Sequence, residues 1–200
     1  MRTLSAPRGA ALALALAMLA GCDGQGPEPM TSFSVKLKDA PGDVQQAVVT
    51  ISEVDLVGSG GVQVLTQTPT TVDLLTLAAT TATLVQDVEV PSGHYEQLRF
   101  KITGACLAVD NGSGGSDVYA TDGFDPTQCG GEATGPLVAP SFAQSGLKVT
   151  LTGNALELTG PEKVVLVAFD VSQSFGHEAS GWVMHPVVTG GAVTTEPPAP

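Results

Sequence analysis

Strict alternation between apolar and polar residues is the feature that most restricts how this chain can fold. In the clearest run, 97–103, Leu98, Phe100 and Ile102 are separated by polar residues. Because successive side chains of a β-strand point to opposite faces of the sheet, this period of two predicts a half-buried strand. The same alternation occurs in two further segments, 33–38 and 147–152. No segment shows a convincing 3.6-residue period, so we expect almost no helix.

Turn residues separate these strands. The chain has 24 Gly and 14 Pro among 200 residues, a composition typical of an all-β domain with many turns. Gly58–Gly61 predicts a hairpin turn, and the change of phase between Ile51 and Val54 predicts a β-bulge near Ser52. We therefore expect an antiparallel β-sandwich of about seven to nine core strands. The residues expected to face the core are Val35, Leu37, Val49, Ile51, Leu98, Phe100, Leu147, Val149, Val167 and Phe169.

Two segments near the carboxyl end predict further strands. Residues 164–171 are apolar on both phases, which indicates a central strand. Residues 182–188 predict the last strand, in which Pro186 favours a sheet edge or a bulge because proline has no backbone N–H.

The amino terminus has the organisation of a bacterial secretory signal. Arg2 and Arg8 precede an apolar run, Ala10–Ala20, which at about 1.5 Å per residue is too short to span a bilayer. The run ends in Leu-Ala-Gly-Cys22 and resembles the lipobox, in which the cysteine is acylated after cleavage before it. We predict that acyl chains on Cys22 anchor the mature protein to a membrane. The alternative is an ordinary secreted protein with a free thiol at this position.

These features divide the chain into four predicted segments. They are a signal peptide at 1–21, a lipidated tether at 22–31, the β-sandwich at 32–190 and a disordered Pro/Thr tail at 191–200. The predicted location is the bacterial cell envelope.

The remaining cysteines, Cys106 and Cys129, predict a disulfide, because an exported protein occupies an oxidising compartment. Closing this segment would stabilise the fold by roughly 3 kcal/mol on the chain-entropy account. A metal site is the alternative, but two cysteines without a nearby His or third Cys form a poor ligand set. We expect the bond to brace an insertion, 104–135, whose Gly- and Asp-rich tip at 110–117 serves recognition.

The charge balance excludes some partners. With 8 Lys+Arg against 20 Asp+Glu, the net charge is −12, which repels nucleic acid and anionic lipid headgroups. We expect Arg99 and Lys101 to be solubilising or paired with the abundant acids. Only 14% of residues are charged and 42% are hydrophobic, a composition typical of a folded domain.

One acidic segment suggests a calcium site. Its four carboxylates, which favour calcium through their oxygens, are Asp110, Asp117, Asp122 and Asp125. The strict Asp-x-Asp-x-Asp-Gly spacing is missing, so solvated loop charge is the other interpretation, and no cofactor is our main expectation. Asp39 and Asp43 carry the same two interpretations, calcium or turn capping.

No motif predicts catalysis. The sequence has no Gly-x-Ser-x-Gly, no His-Glu-x-x-His and no phosphate-binding Gly-rich loop. Three histidines are scattered along the chain, His94, His177 and His185. The aromatic residues at 95, 119, 124 and 182 are too dispersed to predict a sugar-stacking platform, and Trp182 is interpreted as core or edge packing.

Several segments, in order along the chain, resemble one known family. They are Leu37–Asp43, Val49–Leu56, Val72–Leu75, Pro91–Arg99, Gln144–Lys148, Phe169–Val171 and His185–Val188. They are similar to the bacterial lipoprotein family named domain of unknown function four-three-eight-two, over nearly all of 33–189. The resemblance implies an immunoglobulin- or transthyretin-like sandwich and brings no catalytic residues. In transthyretin-like sandwiches the tyrosine of a Pro-x-Gly-x-Tyr step pins a corner through its hydroxyl, which is what the resemblance implies for Tyr95.

Together these observations predict a non-enzymatic, lipid-anchored β-sandwich that binds or scaffolds a protein or carbohydrate at the envelope. Its attachment to the membrane is through the Cys22 lipid. A calcium-dependent adhesive or carbohydrate-binding module using 110–125 is the alternative, and an envelope hydrolase is less favoured.

Overall fold

The computed structural model describes residues 29–40, 44–139, 142–151, 156–160, 162–179 and 181–194. The predicted lipidation site Cys22, the residues on either side of it, and Asp43 lie outside these ranges, as does the side chain of Asp39. No helix among the described residues is long and apolar enough to cross a membrane.

The smaller of two sheets has four strands. Their order across the sheet is β14 (Val188–Thr194), β11 (Glu162–Asp170), β1 (Met30–Ala40) and β5 (Ala82–Pro91). The two strands in the middle, β11 and β1, run parallel, and the outer pairs are antiparallel. As expected for a central strand, β11 has neighbours on both sides.

The larger sheet has ten strands. Its main path is β12 (Phe175–Glu178), β13 (Gly181–Met184), β8 (Gly135–Val138), β7 (Ser116–Ala120), β6 (Gly93–Asp110), β2 (Gln46–Gly58) and β3 (Gly61–Thr66). Off this path, β4 (Thr70–Asp73) pairs with β2, and β9 (Leu147–Thr150) and β10 (Leu156–Leu158) pair with β6. The helical elements are short: two 3₁₀ helices, Leu74–Ala78 and Pro126–Cys129, with α1 (Phe142–Ser145) and α2 (Val171–Ser174).

The core confirms the predicted inward faces. Every residue expected to face inward is buried except Leu147, which is partly buried and packs against the core. The predicted bulge is present, because the pairing of β2 with β6 steps from Ile51–Ile102 to Glu53–Lys101 and skips Ser52. The predicted hairpin is also present, with Gly58 paired to Gly61.

The all-β sandwich is therefore confirmed, with two differences in its sheets. They are mixed, because β1–β11, β7–β8 and β8–β13 are parallel pairs. Alternation determines which face a side chain occupies and carries no information on strand direction. The predicted last strand is interrupted: β13 ends at Met184 and β14 begins at Val188, so Pro186 lies between two strands. Strand β14 continues to Thr194, beyond the predicted boundary at 190.

The disulfide is present, but its surroundings differ from the prediction. Cys106 and Cys129 are bonded, with their Cα atoms 6.0 Å apart. Both are buried in a second small core with Val48, Ala108, Val118 and Ala120. The predicted loop character of 104–135 is wrong, because much of this segment extends the larger sheet and packs on it; recognition by its tip stays a prediction. The longest exposed run in this segment is 110–116 at the β6–β7 hairpin, and shorter exposed runs lie at 122–123, 127–128 and 132–134.

Candidate functional site

The outer face of the larger sheet, which points away from the main core, has two halves. We call one the closed half: residues 121–134, bonded through Cys129, lie over β2, β6 and β7 there. The covering is tight at Gly104, where an added Cβ would lie 2.4 Å from the Phe124 ring. The other half, formed by the outward side chains of β3, residues 53–57 of β2, residues 97–101 of β6 and β9, we call the open half.

Four residues of the open half form one cross-strand row. Val64 pairs with Asp55, Asp55 with Arg99, and Arg99 with Lys148. Residues directly opposite one another in a sheet share a face, and neighbouring strands are about 4.8 Å apart. The row therefore extends over four strands as a continuous surface.

Glu53 and Lys101 form an ion pair beside this row. The Lys101 Nζ contacts Glu53 Oε1, and Gln67 Nε2 donates a 2.8 Å hydrogen bond to Glu53 Oε2. The hydrogen bonds from Lys101 and Gln67 lower the pKa of Glu53, and the contact with Glu53 raises the pKa of Lys101. The expected pairing of Lys101 with an acid is confirmed. Both oxygens of the Glu53 carboxylate therefore already have a partner.

Asp55 is buried without a partner for one oxygen. Its side chain is 6% exposed, and Oδ1 is the one buried side-chain nitrogen or oxygen among the described residues that lacks a hydrogen bond. Burial, and then the negative charge of Glu53, raise the pKa of Asp55. A buried acceptor with no donor is unfavourable by about 1–3 kcal/mol, so a donor that reached Oδ1 would stabilise the domain.

The two basic residues of the row face each other. Arg99 Nε donates a 3.0 Å hydrogen bond to Gln97 Oε1 on its own strand, and Lys148 is exposed. Neither forms an ion pair with an acid in the described part of the chain. Like charges directly opposite one another destabilise a sheet. These two cations lie side by side in a protein whose net charge is −12.

An apolar margin borders the row. Val62 and Val64 on β3 are 49% and 52% exposed, while Leu65 on the same strand is buried. Val62 pairs with Val57 and Val64 with Asp55, so both valines share the outward face of the row. The open half thus combines an unpaired acceptor, a pair of cations and apolar surface.

The sequence pattern of one family, described as Domain of unknown function (DUF4382), matches residues 30–186. The chain belongs to this family. No curated protein and no solved structure matches the chain. The matched range includes the whole row of this DUF4382 domain, from Asp55 to Lys148, and the resemblance found in the sequence is confirmed for the family.

The four aspartates of the predicted calcium site do not form one cluster. Asp110 and Asp117 lie at the β6–β7 hairpin, whereas Asp122 and Asp125 follow the other end of β7. Asp110 accepts hydrogen bonds from Gln45 Nε2 and Gly112 N at 3.2 and 2.6 Å. Within the described ranges, no three His, Cys, Asp or Glu residues lie close enough to hold a metal ion. Calcium binding stays the untested alternative interpretation of this segment.

Asp125 has a structural role. It accepts hydrogen bonds from Thr127 N and Thr127 Oγ1 at 3.0 and 2.7 Å and caps the 3₁₀ helix that ends at Cys129. The hydrogen bonds from Thr127 lower the pKa of Asp125.

The structure brings some aromatic residues together that the sequence separates. The ring of Trp182 lies 6.0 Å from Tyr119 and 5.4 Å, edge-on, from His177. The strands β7, β8, β13 and β12 lie side by side and so bring these rings together. Trp182 and Tyr119 pack against the main core, which confirms core packing for Trp182.

The remaining predicted residues lie apart. His94 Nδ1 is 2.5 Å from Glu157, and His185 Nε2 is 3.3 Å from Glu178. Tyr95 donates a 2.9 Å hydrogen bond to the carbonyl of Pro91, so the predicted corner is confirmed.

Sequence reasoning missed the row itself. Its one available signal was the pair of acids, Glu53 and Asp55, that follow the bulge on the outward phase.

Proposed function

We propose that this DUF4382 domain is a non-enzymatic binding module, displayed at the bacterial cell envelope by acyl chains on Cys22, whose ligand occupies the open half. The observation that carries the proposal is the buried, unpartnered Oδ1 of Asp55 in one row with Arg99 and Lys148.

This arrangement is unfavourable for the domain alone. A buried acceptor without a donor and two cations directly opposite each other both lower stability. A ligand that donates a hydrogen bond and carries negative charge would reverse both effects. Such residues are typical of binding sites, where stability is given up for recognition.

The closed half supports this division of roles. Its disulfide and second core hold 121–134 against the sheet, so this half has little surface left for a flat ligand. The open half is a rigid sheet surface, which holds binding groups more precisely than a loop does. The proposal requires no metal or other cofactor.

A domain anchored through Cys22 must be able to turn its binding face toward its ligand. The tether predicted at 22–31 contains Gly and Pro, and a flexible tether of this length allows a domain to turn its binding face toward a ligand. Mass spectrometry of the membrane fraction should find an acylated peptide that begins at Cys22. An unmodified thiol there would refute the anchoring.

Hydrogen–deuterium exchange tests the binding face. The detergent-solubilised lipoprotein is compared with and without solubilised envelope polysaccharide from the same cells. We expect slower exchange in peptides of β2, β3, β6 and β9 that contain the row. Protection confined to the 111–115 tip would contradict the proposal and favour recognition by the hairpin, and an unchanged pattern would also count against it.

A further inference from the structure

We propose that the ligand of the open half is an acidic saccharide, whose carboxylate lies between Arg99 and Lys148 and whose hydroxyl donates a hydrogen bond to Asp55 Oδ1. This inference rests on the proposed function and names the ligand class of the same face.

The cations point to an anionic group. Arg99 and Lys148 are directly opposite each other on β6 and β9, and neither forms an ion pair with an acid among the described residues, although Asp55 is the cross-strand neighbour of Arg99. The neighbouring Lys101 is already bound to Glu53. A carboxylate placed between two cations accepts charge-assisted hydrogen bonds from both, and the planar guanidinium of arginine suits it well.

Asp55 points to a neutral donor on the same ligand. Its Oδ1 is buried and unpartnered, while the adjacent carboxylate of Glu53 already accepts from Lys101 and Gln67. A compact anion such as phosphate would be repelled by these two carboxyls. A sugar acid separates its charge from its hydroxyls, so one end can contact the cations while a hydroxyl reaches Asp55.

The dimensions and margin of the row fit a saccharide chain. Val64, Asp55, Arg99 and Lys148 lie on four adjacent strands, which extends the row over roughly 14 Å. Exposed Val64 and Val62 at its end offer apolar surface, against which the C–H face of a sugar ring can pack.

Isothermal titration of the detergent-solubilised full chain tests this assignment. The probe is an oligogalacturonate, and its matched control is the same oligosaccharide with every carboxylate methyl-esterified. The ester keeps the hydroxyls and removes the charge. We expect the acid form to bind at least tenfold more tightly than the ester, and the difference to shrink as salt is raised.

Variants separate the two contacts. The double variant Arg99→Gln/Lys148→Gln should weaken binding of the acid form at least tenfold. Asp55→Val, which removes the acceptor, should weaken it about fivefold, and more than Asp55→Asn, which keeps an acceptor oxygen. Lys163→Gln is the charge-matched control for the single changes Arg99→Gln and Lys148→Gln, since Lys163 lies on β11 in the other sheet. Thermal unfolding of each variant confirms that it is folded.

Each outcome decides the inference. Equal affinity for acid and ester would overturn the carboxylate assignment, yet the proposed function would stand if exchange protection still maps to the row. Binding of the acid form that survives both Arg99→Gln/Lys148→Gln and Asp55→Val would overturn the assignment to this face. Failure to bind either oligosaccharide, or binding instead to vesicles of phosphatidylglycerol and phosphatidylcholine, would overturn the assignment of the ligand as a saccharide. The hydrogen–deuterium exchange experiment tests the proposed function separately.

Discussion

Replacing Asp55 with asparagine should stabilise the folded domain at neutral pH. The wild-type carboxyl is buried, its Oδ1 has no hydrogen-bond partner, and burial together with the charge of Glu53 raises its pKa. Asparagine has nearly the same shape and carries no charge. Its amide group can also donate a hydrogen bond to the adjacent Glu53 carboxylate, which a deprotonated Asp55 cannot do.

The size of the gain follows from two opposing contributions. A buried acceptor without a partner costs about 1–3 kcal/mol, and more when it is charged, so removing the charge recovers part of this cost. Part of that gain is lost, because Asp55⁻ is attracted by Lys101 and Arg99. We therefore expect a net gain of about 1–2 kcal/mol. In a domain of this size each kcal/mol shifts Tm by about 2–4 °C, so the variant should melt about 2–8 °C higher at pH 7.5.

The pH dependence gives the sharper test. Because the pKa of Asp55 is raised by folding, its contribution to stability is complete below its unfolded-state pKa and is lost as pH rises through the folded-state pKa. The advantage of Asp55→Asn should therefore be larger at pH 7.5 than near pH 3, which lies below the ordinary aspartate pKa of 3.8. Thermal unfolding followed by circular dichroism at both pH values measures it.

Glu53→Gln is the matched control and should act in the opposite direction. The Glu53 pKa is lowered by its contact with Lys101, so its contribution is present above its unfolded-state pKa and is lost as pH falls through the lower folded value. Losing this partly exposed pair should lower stability only slightly at neutral pH, because solvent screens it. If Asp55→Asn were destabilising at pH 7.5, or equally stabilising at both pH values, our account of Asp55 would be refuted.

Three further predictions concern the disulfide, the tyrosine corner and calcium. Replacing Cys106 and Cys129 with alanine should lower the free energy of unfolding by about 3 kcal/mol, measured by thermal unfolding. The variant should keep its β-rich circular dichroism spectrum, because only the second core is lost, and failure to fold would contradict this. Tyr95→Phe removes the hydrogen bond to Pro91 and should cost about 0.5–1.5 kcal/mol in urea unfolding, and an unchanged midpoint would contradict the corner. Calcium should leave Tm unchanged, because the four aspartates lie at opposite ends of β7, and a rise would favour the calcium-dependent alternative.

Much of the fold is predictable because its causes are local. Alternation within a single strand, as at Leu98 and Phe100, identifies the buried face without knowledge of the strand's neighbours. The tyrosine corner joins residues only four apart, Pro91 and Tyr95. The disulfide is predictable for a different reason, since Cys106 and Cys129 remain once Cys22 is assigned to the lipid.

The parts that could not be predicted depend on which strands become neighbours. Alternation is the same in parallel and antiparallel pairs, so the parallel pairing of β1 with β11 leaves no local trace. The segment 104–135 has the composition of a loop, but its few apolar residues gather with Val48 of a distant strand into the second core. The row from Val64 to Lys148 likewise exists only once four strands are placed in register.

The bulge at Ser52 connects the fold with the proposed binding face. Without the extra residue, the phase that buries Val49 and Ile51 would continue to Glu53 and Asp55 and would place two carboxyls in the core. With it, the pairing resumes at Glu53–Lys101, Val54 and Leu56 face inward, and Asp55 lies outward opposite Arg99. The unpaired Ser52 thus preserves the core and also creates the charged surface. A mutation that removed the bulge would therefore disturb both.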